Sequence, residues 1–333
     1  MFRPEGRPRL SRIAAAADTP TIIYDRETGT LTGAGPLDTI AVGALRAGSV
    51  LTRPFGHRGY GLGCKMVSVL ATNGDIVVKL NSDAAFAIPL ADPYWSRILN
   101  RRYDYEEEME ALLWSAAGLK YTLVDCGANF GYWSVLATSE PFGKQSALAI
   151  EAAPANATRL EANARLNGGR FRCLNAAIGE QSIGYARIVG QKHEAFAAIP
   201  IESEERDAVR MMSVDGLADK GLIDASLPCL IKLDVEGQEI ESLGGARQVL
   251  AGDSVVVCED HGADRTHSVT RHLIQSTGLK TFAFDPAKGL FFAVTEPSDL
   301  DRIKRHAWVG YNVFATSSPL WEDRLLSATW AYR

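Results

Sequence analysis

Two acidic residues lie on either side of a short glycine-containing turn and could together hold a nucleoside. Asp125 ends an apolar run and is followed by Gly127-Ala128-Asn129-Phe130-Gly131. The two glycines would let a ligand approach the backbone, and a helix that starts directly after the turn would present amides that favour a negative group. Glu151 ends the next apolar run, where its carboxylate could accept both hydroxyls of a ribose. This arrangement predicts a cofactor that contains adenosine.

The spacing of the glycines distinguishes two cofactor classes. Dinucleotide-binding proteins use G-x-G-x-x-G, in which the glycines let a pyrophosphate approach, whereas Gly127 and Gly131 form a G-x-x-x-G loop. Asp125 would repel a pyrophosphate but would suit the cationic amine of a methionine moiety. We therefore predict S-adenosylmethionine. An NAD-dependent oxidoreductase is the alternative, and a glycine pair that only packs a helix, with nothing bound, is a third interpretation.

Three charged residues on a later strand could carry the chemistry. Lys232, Asp234 and Glu236 alternate along the chain, so their side chains share one face for as long as the strand stays extended. Methyl transfer to an alcohol requires alignment of the oxygen and removal of its proton. We predict Asp234 as the general base, with Glu236 and Lys232 beside it. The structural alternative is that Glu236 caps the following helix and Lys232 only neutralises Asp234.

The next strand ends in Glu259-Asp260-His261 and adds a histidine to the same edge of the sheet. We include His261 among the candidate catalytic residues, although a lone histidine at a strand end is more often a hydrogen-bonded polar residue. Asp234 and Glu236, with Glu259 or His261, could also hold magnesium or calcium through hard oxygen ligands. The histidines lack the spacing of a helical metal pair, and we assign no metal.

Strands and helices alternate from Leu119 onward. This pattern predicts an α/β fold with a doubly wound, mostly parallel sheet, covered on both faces and binding ligands beyond the carboxyl ends of its strands. A preceding helix is expected to start at Asp104, which would cap it. Its apolar face would comprise Met109, Leu112, Leu113 and Ala116.

The sequence before this domain predicts a smaller β-rich region at residues 21–90. Three runs are expected as strands, and the last two would form a hairpin through Asn73-Gly74; the runs are Thr21–Tyr24, Val67–Leu70 and Ile76–Leu80. The glycine-rich stretch 29–63 is expected as loops. Residues 1–20 are predicted as a flexible arm and residues 91–333 as the catalytic domain. Within that domain, the polar insertion 180–210 is predicted as a mobile loop near the acceptor.

Several of these segments resemble, in the same order, the motifs of the FkbM family of methyltransferases. Residues 123–134 are similar to the family's first motif, and residues 231–239 are similar to its K-x-D-x-E-G-x-E signature. Smaller similarities occur at Tyr105-Glu106, at Glu151-Ala152-Ala153-Pro154 (with one additional residue between acid and proline), at residues 160–167 and at residues 175–179. The resemblance covers about residues 76–316 and does not extend to residues 1–65.

The resemblance implies a Rossmann-like methyltransferase fold with a seven-stranded sheet. It also implies O-methylation of a hydroxyl on a sugar, a polysaccharide precursor or a small natural product. The residues implied to line the cofactor are Asp125, Gly127, Ala128, Asn129, Gly131 and Glu151, with Ala176 and Ala177 near the adenine. A non-catalytic module of the same fold is a further alternative, but the intact Lys232, Asp234 and Glu236 argue against it.

Composition narrows the classes of partner. A net charge of -5 lacks the basic excess typical of nucleic-acid-binding proteins. The five cysteines contain no C-x-x-C pair, which argues against a disulfide framework or a zinc knuckle. No apolar run approaches the roughly 18 residues of a membrane span. We expect a cytoplasmic enzyme with a small-molecule or carbohydrate acceptor, no nucleic acid and no membrane span, and we leave a homodimer open.

Overall fold

The computed structural model describes residues 21–69, 74–103, 105–190, 192–303 and 310–330. The predicted arm at residues 1–20, the Asn73 half of the predicted hairpin turn and the predicted cap Asp104 lie outside the described residues. The rest of the chain forms three β-sheets with helices packed against them.

The N-terminal region contains four strands and two helices. They are β1 (Ile22–Asp25), β2 (Leu31–Thr32), α1 (Pro36–Thr52), α2 (Tyr60–Ser68), β3 (Asp75–Lys79) and β4 (Ala85–Pro89). The sheet order is β2-β1-β3-β4, with β1 parallel to β3 and the other neighbours antiparallel. A β-rich region is therefore confirmed, and so are the strands predicted near Thr21–Tyr24 and Ile76–Leu80.

Two predictions within this region are wrong. Residues 36–52 and 60–68 are helices rather than loops and a strand, and the hairpin partner of β3 is β4. The buried residues show why: Ala41, Val42 and Leu45 recur at helical spacing in α1, as do Tyr60, Cys64 and Val67 in α2. This period of three to four outweighs the weak helix propensity of the intervening glycines.

The C-terminal region begins with helix α3 and continues as alternating strands and helices. Its first half comprises α3 (Glu107–Ala116), β5 (Thr122–Cys126), α4 (Tyr132–Ala137), β6 (Ser146–Glu151), α5 (Pro154–Leu166), β7 (Arg172–Asn175), β8 (Ala177–Ile178), β9 (Tyr185–Val189), β10 (Ala197–Ile201) and β11 (Val209–Met212). Its second half comprises α6 (Val214–Asp219), β12 (Cys229–Leu233), α7 (Glu239–Gly244), α8 (Arg247–Leu250), β13 (Ser254–Asp260), α9 (Ser268–Ser276), β14 (Lys280–Asp285), β15 (Leu290–Val294), β16 (Tyr311–Thr316) and α10 (Pro319–Ser327). Short 3-10 segments lie at Arg53–Phe55, Trp95–Leu99, Glu140–Phe142 and Pro297–Arg302.

The main sheet has the order β15-β14-β16-β13-β12-β5-β6-β7. Strands β13, β12, β5, β6 and β7 are parallel, and β16, β14 and β15 join them antiparallel. The predicted doubly wound, mostly parallel sheet is confirmed, but it has eight strands rather than the seven that the family resemblance implied. The eighth is β15, which extends the edge by pairing with β14. All residues of β5 and β12 are buried, as expected for central strands covered on both faces.

The insertion at residues 180–210 is not a plain loop. Its strands β9, β10 and β11 join β8 in a separate sheet of order β10-β9-β11-β8. The predicted apolar face of α3 is confirmed, because Met109, Leu112, Leu113 and Ala116 are all fully buried. Among the described residues, no helix combines the length and the apolar character that crossing a membrane requires.

Candidate active site

A cleft of about 770 Å³, open to solvent, lies beyond the carboxyl ends of β5, β6 and β12. Most of the residues selected from the sequence line it. These are Asp125, Gly127, Ala128, Asn129, Glu151, Ala176, Ala177, Lys232, Asp234 and Glu236. Gly131 and His261 are not among the lining residues.

The two glycines of the turn have different surroundings. Gly127 has φ +79°, and a Cβ added there would lie 1.8 Å from the carbonyl oxygen of Asp234. Gly131 has φ +90°, and a Cβ there would lie 2.5 Å from a methyl carbon of Leu160. Gly127 therefore brings the turn into contact with the end of β12, whereas Gly131 packs the start of α4 against α5.

Asp125 is buried beneath the turn. Its Oδ2 accepts a hydrogen bond of 2.7 Å from the Ser134 hydroxyl, on the first turn of α4. Burial raises the pKa of Asp125, and the nearby Lys232 ammonium opposes that rise. The residue therefore contributes negative potential at the floor of the cleft while its carboxylate is held in place.

Glu151 is anchored by backbone amides. Its two carboxylate oxygens each accept one hydrogen bond of 2.8 Å, from the N–H groups of Asn129 and Ala153. Burial raises the pKa of Glu151 to about 7, although these hydrogen bonds favour the ionised form. Each carboxylate oxygen has a second lone pair, so the residue can still accept hydrogen bonds from a ligand.

Lys232 lies at the centre of a buried acidic group. Its Nζ donates to Asp234 Oδ2 at 2.6 Å and lies 3.7 Å from Glu106 Oε2. Burial alone would lower the pKa of Lys232, but Asp234, Glu106 and Asp125 outweigh it and hold the pKa well above its ordinary value. Lys232 is therefore a fixed cation that orients the Asp234 carboxylate.

The backbone around Asp234 connects the two halves of the cleft. The Asp234 N–H donates to the Cys126 carbonyl at 3.1 Å, so the end of β12 is attached to the start of the glycine turn. Within the described residues, Asp234 Oδ1 accepts no hydrogen bond, and the side chain lines the cleft. This oxygen is free to accept a proton or a hydrogen bond from a ligand.

Glu236 follows in a left-handed conformation, with φ +51°. Burial and the Asp234 carboxylate raise the pKa of Glu236 to about 7. It does not occupy the cap position of the following helix, which belongs to Gln238. The capping alternative for Glu236 is therefore wrong. Strained backbone conformations cluster at functional sites, and Glu236 lines the cleft.

His261 lies behind this edge, beside two acids. Its Nε2 is 3.5 Å from Glu239 Oε2, and its Nδ1 is 3.9 Å from Glu259 Oε2. The Glu239 carboxylate raises the pKa of His261 to about 9, and burial raises the pKa of Glu259 to about 8. Glu239 in turn accepts hydrogen bonds from the backbone N–H groups of Val235 and Gly237. His261 therefore contacts the turn around Glu236 through Glu239.

Sequence reasoning missed most of an aromatic wall of the cleft. Tyr94, Trp95, Tyr105 and Trp133 line the cleft, and the hydroxyls of Tyr94 and Tyr105 lie 2.7 Å apart. Tyr105 and Trp133 are stacked, with ring centroids 5.7 Å apart. Tyr94 and Trp95 stand at a 3-10 segment without any motif, so the sequence contained no signal for them.

Glu106 was also missed as a site residue. Its Oε2 accepts a hydrogen bond of 2.8 Å from Trp133 Nε1 and faces Lys232, and burial raises the pKa of Glu106. It has φ +48°, a conformation that non-glycine residues rarely adopt. The Tyr105-Glu106 pair noted in the family resemblance was the available signal.

The insertion contributes one wall of the cleft. The His193 carbonyl accepts hydrogen bonds of 2.8 Å from both Asn129 and Asn156, and its ring stacks on Phe130 with centroids 4.9 Å apart. His193 Nε2 lies 2.7 Å from Asp92 Oδ2. The insertion is therefore attached directly to the glycine turn.

The carboxylates of the cleft pair with Lys232, as Asp234 does, or accept hydrogen bonds from backbone amides, as Glu151 does. Across the described ranges, no group of three or more His, Cys, Asp or Glu side chains is arranged to hold a metal ion.

Comparison with known proteins identifies a matching domain family and a curated relative. Residues 125–279 match the methyltransferase FkbM domain, which confirms the resemblance noted in the sequence. The hexuronic acid methyltransferase AglP of Haloferax volcanii is 25% identical over 207 residues, which is 62% of this chain and 82% of that relative.

Solved structures with similar chains include a methyltransferase and a protein crystallised with AdoMet. The methyltransferase FkbM from Methylobacillus flagellatus KT is 14% identical with a TM-score of 0.39, and the match covers 84% of this chain and 58% of that one. TYW2 of M. jannaschii, solved in complex with AdoMet, is 15% identical with a TM-score of 0.38, and the match covers 74% of this chain and 86% of that one.

Proposed function

We propose that the chain, whose residues 125–279 match the methyltransferase FkbM domain, transfers a methyl group from S-adenosylmethionine to a hydroxyl oxygen of a sugar or small natural product. The observation that carries the proposal is the junction of the glycine turn and Asp234. The Asp234 carboxylate lies there, at the end of the strand that contacts Gly127, and Lys232 Nζ orients it by donating to its Oδ2 at 2.6 Å.

The charge of the cleft supports a cationic cofactor over a dinucleotide. Among the described lining residues, Lys232 is the only Lys or Arg. The acidic lining residues are Asp125, Glu151, Glu194, Asp234 and Glu236. S-adenosylmethionine carries a sulfonium and an ammonium group, whereas NAD carries a pyrophosphate that these acids would repel. The residues present therefore fit S-adenosylmethionine, and the NAD alternative loses its support.

Each part of the cofactor has suitable residues in the cleft. Glu151 would accept hydrogen bonds from the ribose hydroxyls, because both its oxygens are held in place and retain free lone pairs. Asp125 would favour the methionine ammonium, and the small side chains of Ala176 and Ala177 would leave room for the adenine. Gly127, Ala128 and Asn129 supply the turn that approaches the ligand.

The protein's task in the reaction is to position the acceptor and receive its proton. S-adenosylmethionine, when bound, supplies an already activated methyl group, so alignment and proton removal account for most of the remaining barrier. Asp234 Oδ1 would accept the proton of the acceptor hydroxyl while Lys232 holds Oδ2. Glu236 would bind a neighbouring hydroxyl, and His261 would position this turn through Glu239.

The cleft also favours one class of acceptor. A hexuronic acid, the substrate in the name of the curated relative, would bring a carboxylate next to Asp234 and Glu236. The nearest cation, Lys232, is already paired with Asp234 and Glu106. The aromatic wall, by contrast, offers faces on which the apolar side of a sugar ring can pack. We therefore propose an uncharged sugar or polyol as the acceptor.

Two measurements test this function. S-adenosylmethionine is expected to raise the melting temperature, since a ligand that binds only the folded state stabilises it by mass action, whereas NADH is expected to leave it unchanged. Cofactor carrying a labelled methyl group is then incubated with neutral sugars and with hexuronic acids, and label transfer is followed by mass spectrometry. Stabilisation by NADH alone would refute the cofactor, and label on hexuronic acids alone would refute the acceptor class.

A further inference from the structure

Helix α1 is apolar on both of its faces. One face is buried in the N-terminal region through Ala41, Val42 and Leu45. The opposite face is exposed, yet between residues 37 and 51 it also consists almost wholly of apolar or small residues: Leu37, Ile40, Gly43, Ala44, Ala47, Val50 and Leu51. A surface helix of a globular protein normally carries polar residues on this side. The exposed face of α1 therefore lacks the polar side chains that a solvent-exposed helix face normally carries.

The apolar surface continues beyond α1. Phe55 follows the helix and is 67% exposed, and Leu62, Met66 and Val69 form an exposed stripe on α2 and the residue after it. Eight of the fourteen exposed large hydrophobic residues among the described ranges fall between residues 37 and 69. We refer to the exposed residues of this segment as the α1–α2 surface. Such a concentration marks an interaction site rather than random exposure.

The charges of the same segment have one sign. Between residues 36 and 69 the sequence contains Arg46, Arg53, Arg58 and Lys65, against the single acid Asp38. Asp38 is buried, with an exposed fraction of 1%. The surface charge of this segment is therefore positive, although the whole chain has a net charge of -5.

An arginine-lined cleft adjoins the apolar surface. Val50 of α1 lines it together with the arginines Arg26, Arg46, Arg53, Arg101 and Arg102, and the acids present are Glu27 and Glu110. Arg53 and Arg101 donate to backbone carbonyls of the same region, which keeps their guanidinium groups in place. An anionic group in this cleft would lie directly beside the exposed side of α1.

We propose that the α1–α2 surface binds a membrane whose headgroups are anionic. Exposed apolar side chains next to Lys and Arg are the pattern of segments that lie in a bilayer interface, where the apolar groups enter the acyl boundary and the cations meet phosphates. A second copy of the chain is disfavoured as the occupant, because a symmetric contact would bring the same four cations together. The proposal does not depend on the proposed function.

Vesicle flotation with the purified full chain tests the proposal. Vesicles of phosphatidylcholine with added phosphatidylglycerol are expected to carry the protein upward, and pure phosphatidylcholine vesicles are expected to bind it roughly several hundredfold more weakly, because each of the four cations near an anionic surface contributes about 1 kcal/mol. Added salt should weaken the binding. Equal flotation with both vesicles, or none with either, would overturn the proposal.

Two variants separate the apolar and cationic contributions. The double variant Leu51→Glu with Phe55→Glu is expected to lose flotation, and Arg53→Gln with Lys65→Gln is expected to weaken vesicle binding roughly thirtyfold. Ile183→Glu is the matched control, because Ile183 is 76% exposed but lies outside the segment. Binding by the Glu variant equal to the parent chain, or an equal loss in the Ile183 control, would refute the proposal.

The oligomeric state tests whether a second copy of the chain, rather than a membrane, covers the α1–α2 surface. The parent chain and the Leu51→Glu, Phe55→Glu variant are expected to sediment at the same mass. Melting temperature and label transfer to a soluble acceptor should also be unchanged, because the substituted side chains are exposed. A parent dimer that the variant converts to monomer would assign the surface to a second copy and overturn the membrane proposal.

Discussion

The proposed cofactor half and the proposed acceptor half of the cleft both contain carboxylates, but their surroundings differ. In the cofactor half, Asp125 and Glu151 accept hydrogen bonds from Ser134 and from backbone amides. In the acceptor half, Asp234 and Glu236 lie close to each other and to Glu259, and burial together with the Asp234 carboxylate raises the pKa of Glu236 to about 7 and that of Glu259 to about 8.

This difference matches two tasks. Fixed, hydrogen-bonded carboxylates keep one geometry, which suits recognition of a ligand with the same hydroxyls and ammonium each time. In the proposed acceptor half, repulsion by the Asp234 carboxylate contributes to the raised pKa values of Glu236 and Glu259, which suits a site that must receive a proton from its ligand. Neighbouring strands of one sheet therefore supply a half held by hydrogen bonds and a half in which carboxylates repel one another.

The largest expected effect comes from Asp234→Asn. The amide cannot accept the acceptor's proton, so turnover should fall roughly a thousandfold, within the range of general-base contributions. The cofactor half should remain intact, and calorimetric titration should find nearly unchanged affinity for S-adenosylmethionine. Unchanged turnover would remove Asp234 from the mechanism.

The contact between the halves is tested by Gly127→Ala. The new Cβ would lie 1.8 Å from the Asp234 carbonyl oxygen at φ +79°, so the free energy of unfolding should fall by about 3 kcal/mol. Gly168→Ala is the matched control, because Gly168 has φ +72° but no atom near its Cβ position. It should cost about 1 kcal/mol. Urea denaturation measures the free energy of unfolding of both variants. Equal losses would mean that the contact between Gly127 and Asp234 is unimportant.

Glu151 should make stability depend on pH. Burial raises its pKa in the folded chain from 4.5 to about 7. Its contribution to the free energy of unfolding is therefore fully present below pH 4.5 and is lost as the pH rises through about 7. The loss should be on the order of 2 kcal/mol, and Glu151→Gln should abolish it. Urea denaturation across this pH range, with the exposed Glu161→Gln as control, checks the expectation. An identical pH profile in Glu151→Gln would contradict it.

The smallest effect is expected for His261→Gln. The pKa of His261 is raised from 6.5 to about 9, so its contribution is present below pH 6.5 and lost as the pH rises through about 9. Because the side chain is about one-third exposed, solvent screening limits the loss to about 1 kcal/mol. Turnover at neutral pH should fall less than tenfold, in keeping with a positioning role. A fall as large as that of Asp234→Asn would instead make His261 the base.

The sequence by itself determined the main sheet, and most of the residues that it selected line the cleft. Buried parallel strands appear in the sequence as continuous apolar runs, and their carboxyl ends lie at one edge of the sheet. Because Asp125, Glu151 and Asp234 follow or end such runs, the sequence suffices to predict that they lie near one another. The N-terminal helices were missed, since glycines at 43, 48, 61 and 63 obscured an apolar period that only burial made visible.

Tertiary structure alone decided which side chains meet across elements. Glu106 reaches Lys232, and Tyr94 and Trp95 form a wall of the cleft, because segments far apart in sequence pack against the end of the sheet. Local periodicity reports the face on which a residue lies but not what lies opposite it. For the same reason, only the fold revealed that α1 buries one apolar face and leaves the other exposed.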